Sequence, residues 1–112
     1  MSLPGEQAEA LALDYLRLNG LAEVERNYRC RMGEIDLIMR DGEVLVFVEV
    51  RLRASDAFGG AGESIDARKR QKLLTTARHY LSSKGNIPLC RFDVVLLNGD
   101  SCIEWIQNAF GE

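Results

Sequence analysis

Cysteine is scarce and badly placed for chemistry. Cys30, Cys90 and Cys102 are odd in number, far apart and without a C-x-x-C pair. That arrangement argues against a disulfide framework and against a zinc site, and makes a reducing cytoplasm the expected compartment. Long apolar runs are missing too. The longest, residues 44–48 (Val-Leu-Val-Phe-Val), has the length of a strand, far short of the ~20 residues a membrane helix needs. The first residues, Met-Ser-Leu-Pro-Gly-Glu, lack the basic-then-apolar pattern of a secretory signal. The glycine-rich stretch 55–63, with Gly59, Gly60 and Gly62, lacks the Gly-Lys-Ser/Thr of a phosphate cradle and reads as a flexible loop. His79 is the one histidine and has no nucleophile near it in sequence, which argues against a His-based triad.

What remains is a chain of 112 residues, 46% hydrophobic and 28% charged, which reads as one domain over 1–112 with a single modest core. These fractions are those of a globular protein, not a disordered or repetitive one. The formal net charge of -3 argues at first sight against a nucleic-acid partner. Its distribution reverses that inference. Between Arg26 and Arg91 lie 13 of the 14 basic residues and 8 acids, while the flanks hold Arg17 against 9 acids. A basic middle can present a positive surface whatever the total. Arginine outnumbers lysine 11 to 3, and arginine is the better bidentate ligand for phosphate as well as a common partner in surface ion pairs.

Residues 4–19 read as a helix, with Pro4 in the first turn, Gly20 past the end, and a stripe of Ala8, Leu11, Ala12, Tyr15, Leu16 and Leu18. Glu9 falls between Leu13 and Leu16 at the border of that stripe, where a carboxylate is costly unless paired; a snorkelling surface Glu is the plain alternative. Residues 24–53 read as three strands with turns at Met32-Gly33 and Asp41-Gly42. Ser64 is the expected N-cap of a second helix to about Ser83, striped by Leu73, Leu74, Ala77 and Leu81 and ended by Lys84-Gly85-Asn86. Residues 92–98 form an apolar strand, and 102–106 a short edge strand. The order α-β-β-β-α-β implies an α/β fold, a mixed sheet flanked by helices.

The central hairpin gathers acids. A two-residue Asp41-Gly42 turn pairs Arg40 with Glu43, Ile38 with Leu45, Asp36 with Phe47 and Glu34 with Glu49. One face then carries Ile35, Leu37, Met39, Val44, Val46, Val48 and Val50. The other carries Ile38, Leu45 and Phe47, and at its end away from the turn Glu34, Asp36, Glu49 and Arg51. Like charges set opposite one another destabilise a sheet by a few tenths of a kcal/mol or more, so cations must neutralise this cluster. A Met32-Gly33 turn offers Arg31 to Glu34 and Arg29 to Asp36, an ion-pair network. A divalent cation is the other source, since Mg²⁺ is held by one or two carboxylates plus phosphate and water. The geometry leaves both open.

The acid in the first helix, then Asp36, then Glu49-Val50-Arg51, resembles the PD-(D/E)xK nuclease arrangement, in the variant of the archaeal Holliday-junction resolvases. Over nearly its full length the chain is similar to the uncharacterised bacterial YraN family. The matching segments are Gly5-x-x-x-Glu9-x-x-Ala12-x-x-Tyr15-Leu16, Asn27-Tyr-Arg29-Cys-Arg31-Met-Gly33-Glu34-Ile-Asp36-Leu37-Ile38, Val46-Phe-Val-Glu49-Val-Arg51, Lys72-Leu73 with Ala77, Arg91-Phe92-Asp93-Val94 and Trp105-Ile106-Gln107-Asn108-Ala109-Phe110.

The resemblance implies a restriction-endonuclease-like core and a Mg²⁺- or Mn²⁺-dependent endonuclease acting on structured DNA, branched forms included, in repair or recombination. It implies that Asp36 and Glu49 ligate the metal with Glu9 completing the acidic set. Arg51 stands where the nuclease motif prefers Lys; it cannot carry a proton, though its fork can stabilise charge on phosphate. Glu34 is an outer-shell acid or further ligand. Arg29, Arg31, Arg53, Arg68, Lys69, Arg70 and Lys72 are candidates for backbone-phosphate contact, against the plain reading of a solvated basic face. A homodimer is compatible with this activity, and a membrane partner is not expected. Two rival readings are a non-catalytic nucleic-acid-binding or repair-accessory module and a protein-interaction domain whose acids form only ion pairs. Cys30, on the core-facing parity of its strand, reads as a small hydrophobe, and Trp105 and Phe110 as packing groups.

Overall fold

The amphipathic first segment forms helix α1 (Gly5–Leu18), which ends as Gly20 leads one to expect. Gly20 takes φ +97° and donates to Arg17 O at 3.0 Å, and Leu21 donates to Leu16 O at 3.0 Å. These are the two bonds of a Schellman stop, and buried Leu21 supplies its apolar contact. Three strands follow, β1 (Ala22–Cys30), β2 (Gly33–Asp41) and β3 (Val44–Arg53), then helix α2 (Ala67–Ser82) and strands β4 (Cys90–Asn98) and β5 (Ile103–Phe110). The computed structural model describes residues 5–53, 65–85, 88–98 and 103–110. Pro4, the 55–63 loop, Ser64, Asn86 and Cys102 lie outside the described residues.

The five strands form one sheet in sequence order, with β3 and β4 parallel and the other neighbours antiparallel. The connection between the parallel strands contains α2, as such a pair requires. Leu37, Met39, Val46, Val48, Val95 and Leu97 bury one face of the sheet against α1. Ile38, Phe47 and Phe92 bury the other against Leu73, Leu74, Ala77 and Tyr80 of α2. This is the expected α/β architecture, compatible with a restriction-endonuclease-like core, with β5 running to Phe110 as a full edge strand. No helix of the described residues is long and apolar enough to cross a membrane.

Four expectations are corrected. The second hairpin turns at Gly42-Glu43, so Ile38 pairs with Phe47 and Arg40 with Leu45. Gly42, at φ +62°, occupies the first loop position, where a two-residue turn places glycine. The first hairpin turns at Arg31-Met32, so Arg29 faces Glu34. Both shifts are by two residues, which changes partners while keeping each side chain on its face. The N-cap of α2 is Asp66, whose Oδ1 accepts the Lys69 N–H at 2.8 Å. Finally, α1 buries Leu13 along with Ala8, Ala12 and Leu16, and leaves Leu11 and Leu18 exposed. Its contact face is rotated toward Glu9.

Candidate active site

The β2–β3 ladder runs from Asp41–Val44 to Leu37–Val48. Just beyond it, Asp36 Oδ2 accepts the Val50 N–H at 2.9 Å, so a side chain takes the place of a strand carbonyl. Alternation breaks at the same point. Ile35 packs under α2, whereas Leu37 and Met39 pack under α1, so Ile35 leaves the face its parity assigns. On β1, Asn27 stands between the pairs Arg26–Leu37 and Tyr28–Ile35 with φ +53°, a left-handed backbone that Asn tolerates better than most residues. The result is a fork between β2 and β3 with half-buried Asp36 in its crotch.

Two glutamates meet Asp36 there from different layers. Glu49, on the α2 side of β3, is buried. Burial, and next the negative charge of Asp36, push its carboxyl up to about 7, against the opposing pull of Lys69 and Arg51. Glu9, half-buried on α1, is likewise raised, first by burial and then by Asp36, while a hydrogen bond with the Asn27 side chain works the other way. Asp36 thus couples to both glutamates. The cations at Glu49 are Lys69, with Nζ 3.5 Å from Oε2, and Arg51, with Nε 3.6 Å from the same oxygen.

Glu34 does not join this group. It is exposed and bridges Arg29 at 3.0 Å, and its charge is the smallest contributor at Glu9. The expected opposition of Glu34 and Glu49 therefore gives way to a contact between Asp36 and Glu49, and the expected Arg29–Asp36 pair to Arg29–Glu34. Both follow from the turn positions.

Among the described residues, no three His, Cys, Asp or Glu side chains form a group that could itself hold a metal ion. The fork offers a smaller donor set of hard oxygens from Asp36 and Glu49. That set fits Mg²⁺, which is held by one or two carboxylates and completes its shell with water and phosphate. A dication there would also offset the repulsion from Asp36 that adds to burial in raising Glu49.

The basic candidates surround this fork unevenly. Arg29 and Arg31 are exposed at the end of the first hairpin, and Arg68, Arg70 and Lys72 are exposed on α2. Arg53 ends β3, and its side chain lies outside the description. The hairpin is clasped to α2. A Cβ on Gly33 would stand 2.9 Å from Thr76 Oγ1, Tyr28 Oη and His79 Nδ1 share a hydrogen bond at 2.7 Å, and Tyr28 meets Tyr80 edge to face at 5.1 Å. A groove of about 380 Å³ between the two elements is lined by Met32, Arg68, Gln71, Lys72 and Thr75. Cys30 sits half-buried at this end with its Sγ 3.7 Å from Met32 Sδ, outside the core. Trp105 and Phe110 pack as expected, Trp105 edge-on to Tyr15 and Phe110 stacked on Phe92.

Two contacts of the site stand outside the expected roles. Asn27, which the motif gives no role, hydrogen-bonds Glu9 through its side chain. Lys69, expected at backbone phosphate, lies 3.5 Å from Glu49. The signal for it lay in the helical period: Lys69 precedes Leu73, Thr76 and Tyr80 by four, seven and eleven residues, all on the buried side of α2.

Comparison with known proteins agrees over nearly the whole chain. Residues 8–97 match the model of the uncharacterised protein family UPF0102. A UPF0102 protein of Nitrosospira multiformis is 57% identical, over 98% of this chain and 94% of its own length. One from Methylobacillus flagellatus is 56% identical over 95% of each chain, and one from Psychromonas ingrahamii 50% identical over 96% and 89%. With fold, fork and sequence all in view, this chain belongs to UPF0102, the uncharacterised family of YraN-like proteins.

Proposed function

We propose that this protein is a divalent-metal-dependent endonuclease that hydrolyses phosphodiester bonds in structured DNA, branched forms included. The observation that carries this reading is the fork, where Asp36 mends the break between β2 and β3 while in contact with buried Glu49 and close to Glu9. Acids held together at the cost of their own ionisation are what a metal site demands and what a fold otherwise avoids. Asp36 and Glu49 are the metal-holding pair, with Glu9 at the rim. Mg²⁺ or Mn²⁺ bound there would supply an activated water and offset charge on the scissile phosphate.

The chain's own residues account for the rest. The Val50 N–H fixes one oxygen of Asp36 and so orients its carboxylate. The Arg51 guanidinium, on the same strand as Glu49, stabilises the extra negative charge of the five-coordinate phosphorus. In the reaction the water oxygen forms a bond to phosphorus as the bridging P–O bond breaks. The water's proton passes to solvent, and the leaving oxygen takes one up. Arg29, Arg31, Arg68, Arg70 and Lys72 hold the backbone in register without reading bases.

The test is cleavage of branched, flapped and linear DNA with Mn²⁺ by the wild type and by Asp36→Asn/Glu49→Gln. Cutting by the wild type alone supports the reading, and equal cutting by both contradicts it. One observation favours a second reading. Glu49 already lies within 4 Å of two cations, as it would in a non-catalytic module whose acids are only ion-paired. In that case the double variant binds DNA as the wild type does, and neither cuts.

A further inference from the structure

Glu49 is served by two cations of different build. Arg51 stands two residues along the same strand and on the same face, so the sheet itself holds it beside the carboxylate. Lys69 comes from another element, at the start of the buried side of α2. It reaches Glu49 by a flexible four-carbon stem and stays 36% exposed. Its 3.5 Å contact is longer than a well-formed N–H···O bond, so the ammonium is attracted to Glu49 without being locked there.

We propose that Lys69 is a catalytic residue of this site, an ammonium that leaves Glu49 for a non-bridging oxygen of the scissile phosphate once a divalent cation occupies the Asp36–Glu49 fork. The inference rests on the nuclease reading. With a dication held by Asp36 and Glu49, the Glu49 carboxylate would no longer need the Lys69 ammonium as its counter-charge, and the attraction between them would weaken. A scissile phosphate brought to the same dication would then be an anion within reach of the ammonium. Arg68 and Lys72, exposed on the neighbouring face of the same helix turn, line the groove that a phosphate backbone would follow. Lys69 follows Arg68 on the same turn of α2, so a strand along that groove would run past the turn that carries both. Arg51, held by its strand, meets the charge that builds on phosphorus, whereas Lys69 moves over from Glu49, so the two cations reach the phosphate by different routes.

The chain has only three lysines, Lys69, Lys72 and Lys84, so reductive ¹³C-methylation gives few signals, and Lys69→Arg identifies the one of interest. Added Mg²⁺ should shift the Lys69 methyl resonance, leave that of Lys84 in place, and move neither in Asp36→Asn/Glu49→Gln. Lys69→Met should keep the Mg²⁺-induced rise in melting temperature and cut DNA about 10²–10³-fold more slowly, the usual loss for one charge-stabilising donor. Lys69→Arg should recover part of that rate. A Lys69 signal indifferent to Mg²⁺ overturns the proposal, as does wild-type cutting by Lys69→Met. Joint loss of metal response and cutting in Lys69→Met also overturns it, since Lys69 then only supports Glu49. Failure of the nuclease reading looks different: the wild type itself shows neither metal response nor cutting, and the proposal falls with it.

Discussion

Asp36 and Asp93 perform the same local task in one sheet. Asp36 accepts the Val50 N–H at the end of the β2–β3 ladder, and Asp93 accepts the Asn108 N–H where the β4–β5 register jumps between Phe92 and Val94, each at 2.9 Å. Each break has a left-handed asparagine beside it, Asn27 at φ +53° and Asn108 at +52°. Their surroundings then diverge. Asp93 is wholly buried among donors, with Arg91 Nε at 3.0 and 3.2 Å and Trp105 Nε1 at 2.9 Å, and Arg91 reaches on to Asp41. Asp36 has Glu49 and Glu9 for neighbours. A buried acid supplied with donors is a structural clasp. A similar acid pressed against other acids costs stability, which the proposed cation would return.

The largest effect should come from damaging the clasp. Asp93→Ala leaves Arg91 charged and poorly paired in the interior and should cost about 3–5 kcal/mol, read by urea unfolding. Glu49→Gln should act in the opposite sense. The folded value of about 7 lies above the ordinary 4.5, so between those pH values the folded chain keeps a proton that the unfolded chain gives up. The stability from this group is whole below pH 4.5 and lost as pH rises through about 7. Glu49→Gln should therefore flatten the pH profile and exceed the wild type at pH 8 by of order 1–3 kcal/mol. A variant less stable than wild type at pH 8 would make the fork a clasp like the other.

Metal binding should follow the same group, strengthening as pH rises through about 7 because the ligand must be ionised. Asp36→Asn retains an oxygen for the Val50 N–H, so its stability should change by less than about 1 kcal/mol. Its response to Mg²⁺ should vanish. The smallest effect on stability, within about 0.5 kcal/mol, is expected for exposed Arg68→Ala/Lys72→Ala. That pair should instead weaken DNA binding and lower its salt slope by about 2. An unchanged slope would remove α2 from the interface.

Much of this was legible in the residues because the physics was local. Gly20 stops α1, and the alternation in β3 sorts Phe47 and Glu49 from Val46 and Val48. The set of Glu9, Asp36 and Glu49 comes instead from the resemblance to the PD-(D/E)xK arrangement. The hairpin registers are not legible locally, because Asp41-Gly42 and Met32-Gly33 look like whole turns while the loops run one residue to either side. That choice is made by Gly42's backbone and by the fit of Gly33 against Thr76, which is a tertiary contact. The face switch at Ile35 is tertiary as well. The helical period sets Lys69 on the buried side of α2, but it does not name Glu49 as its partner until β3 and α2 are docked.

The central claim is that the fork is built to take a divalent cation, and melting of the wild type against Asp36→Asn/Glu49→Gln across a Mg²⁺ titration tests it most directly. At a concentration ten times Kd the wild type should gain about 1.4 kcal/mol, a rise of several degrees for a domain of this size, and the double variant should gain nothing. A wild type whose melting temperature is indifferent to Mg²⁺ and Mn²⁺ would contradict the account.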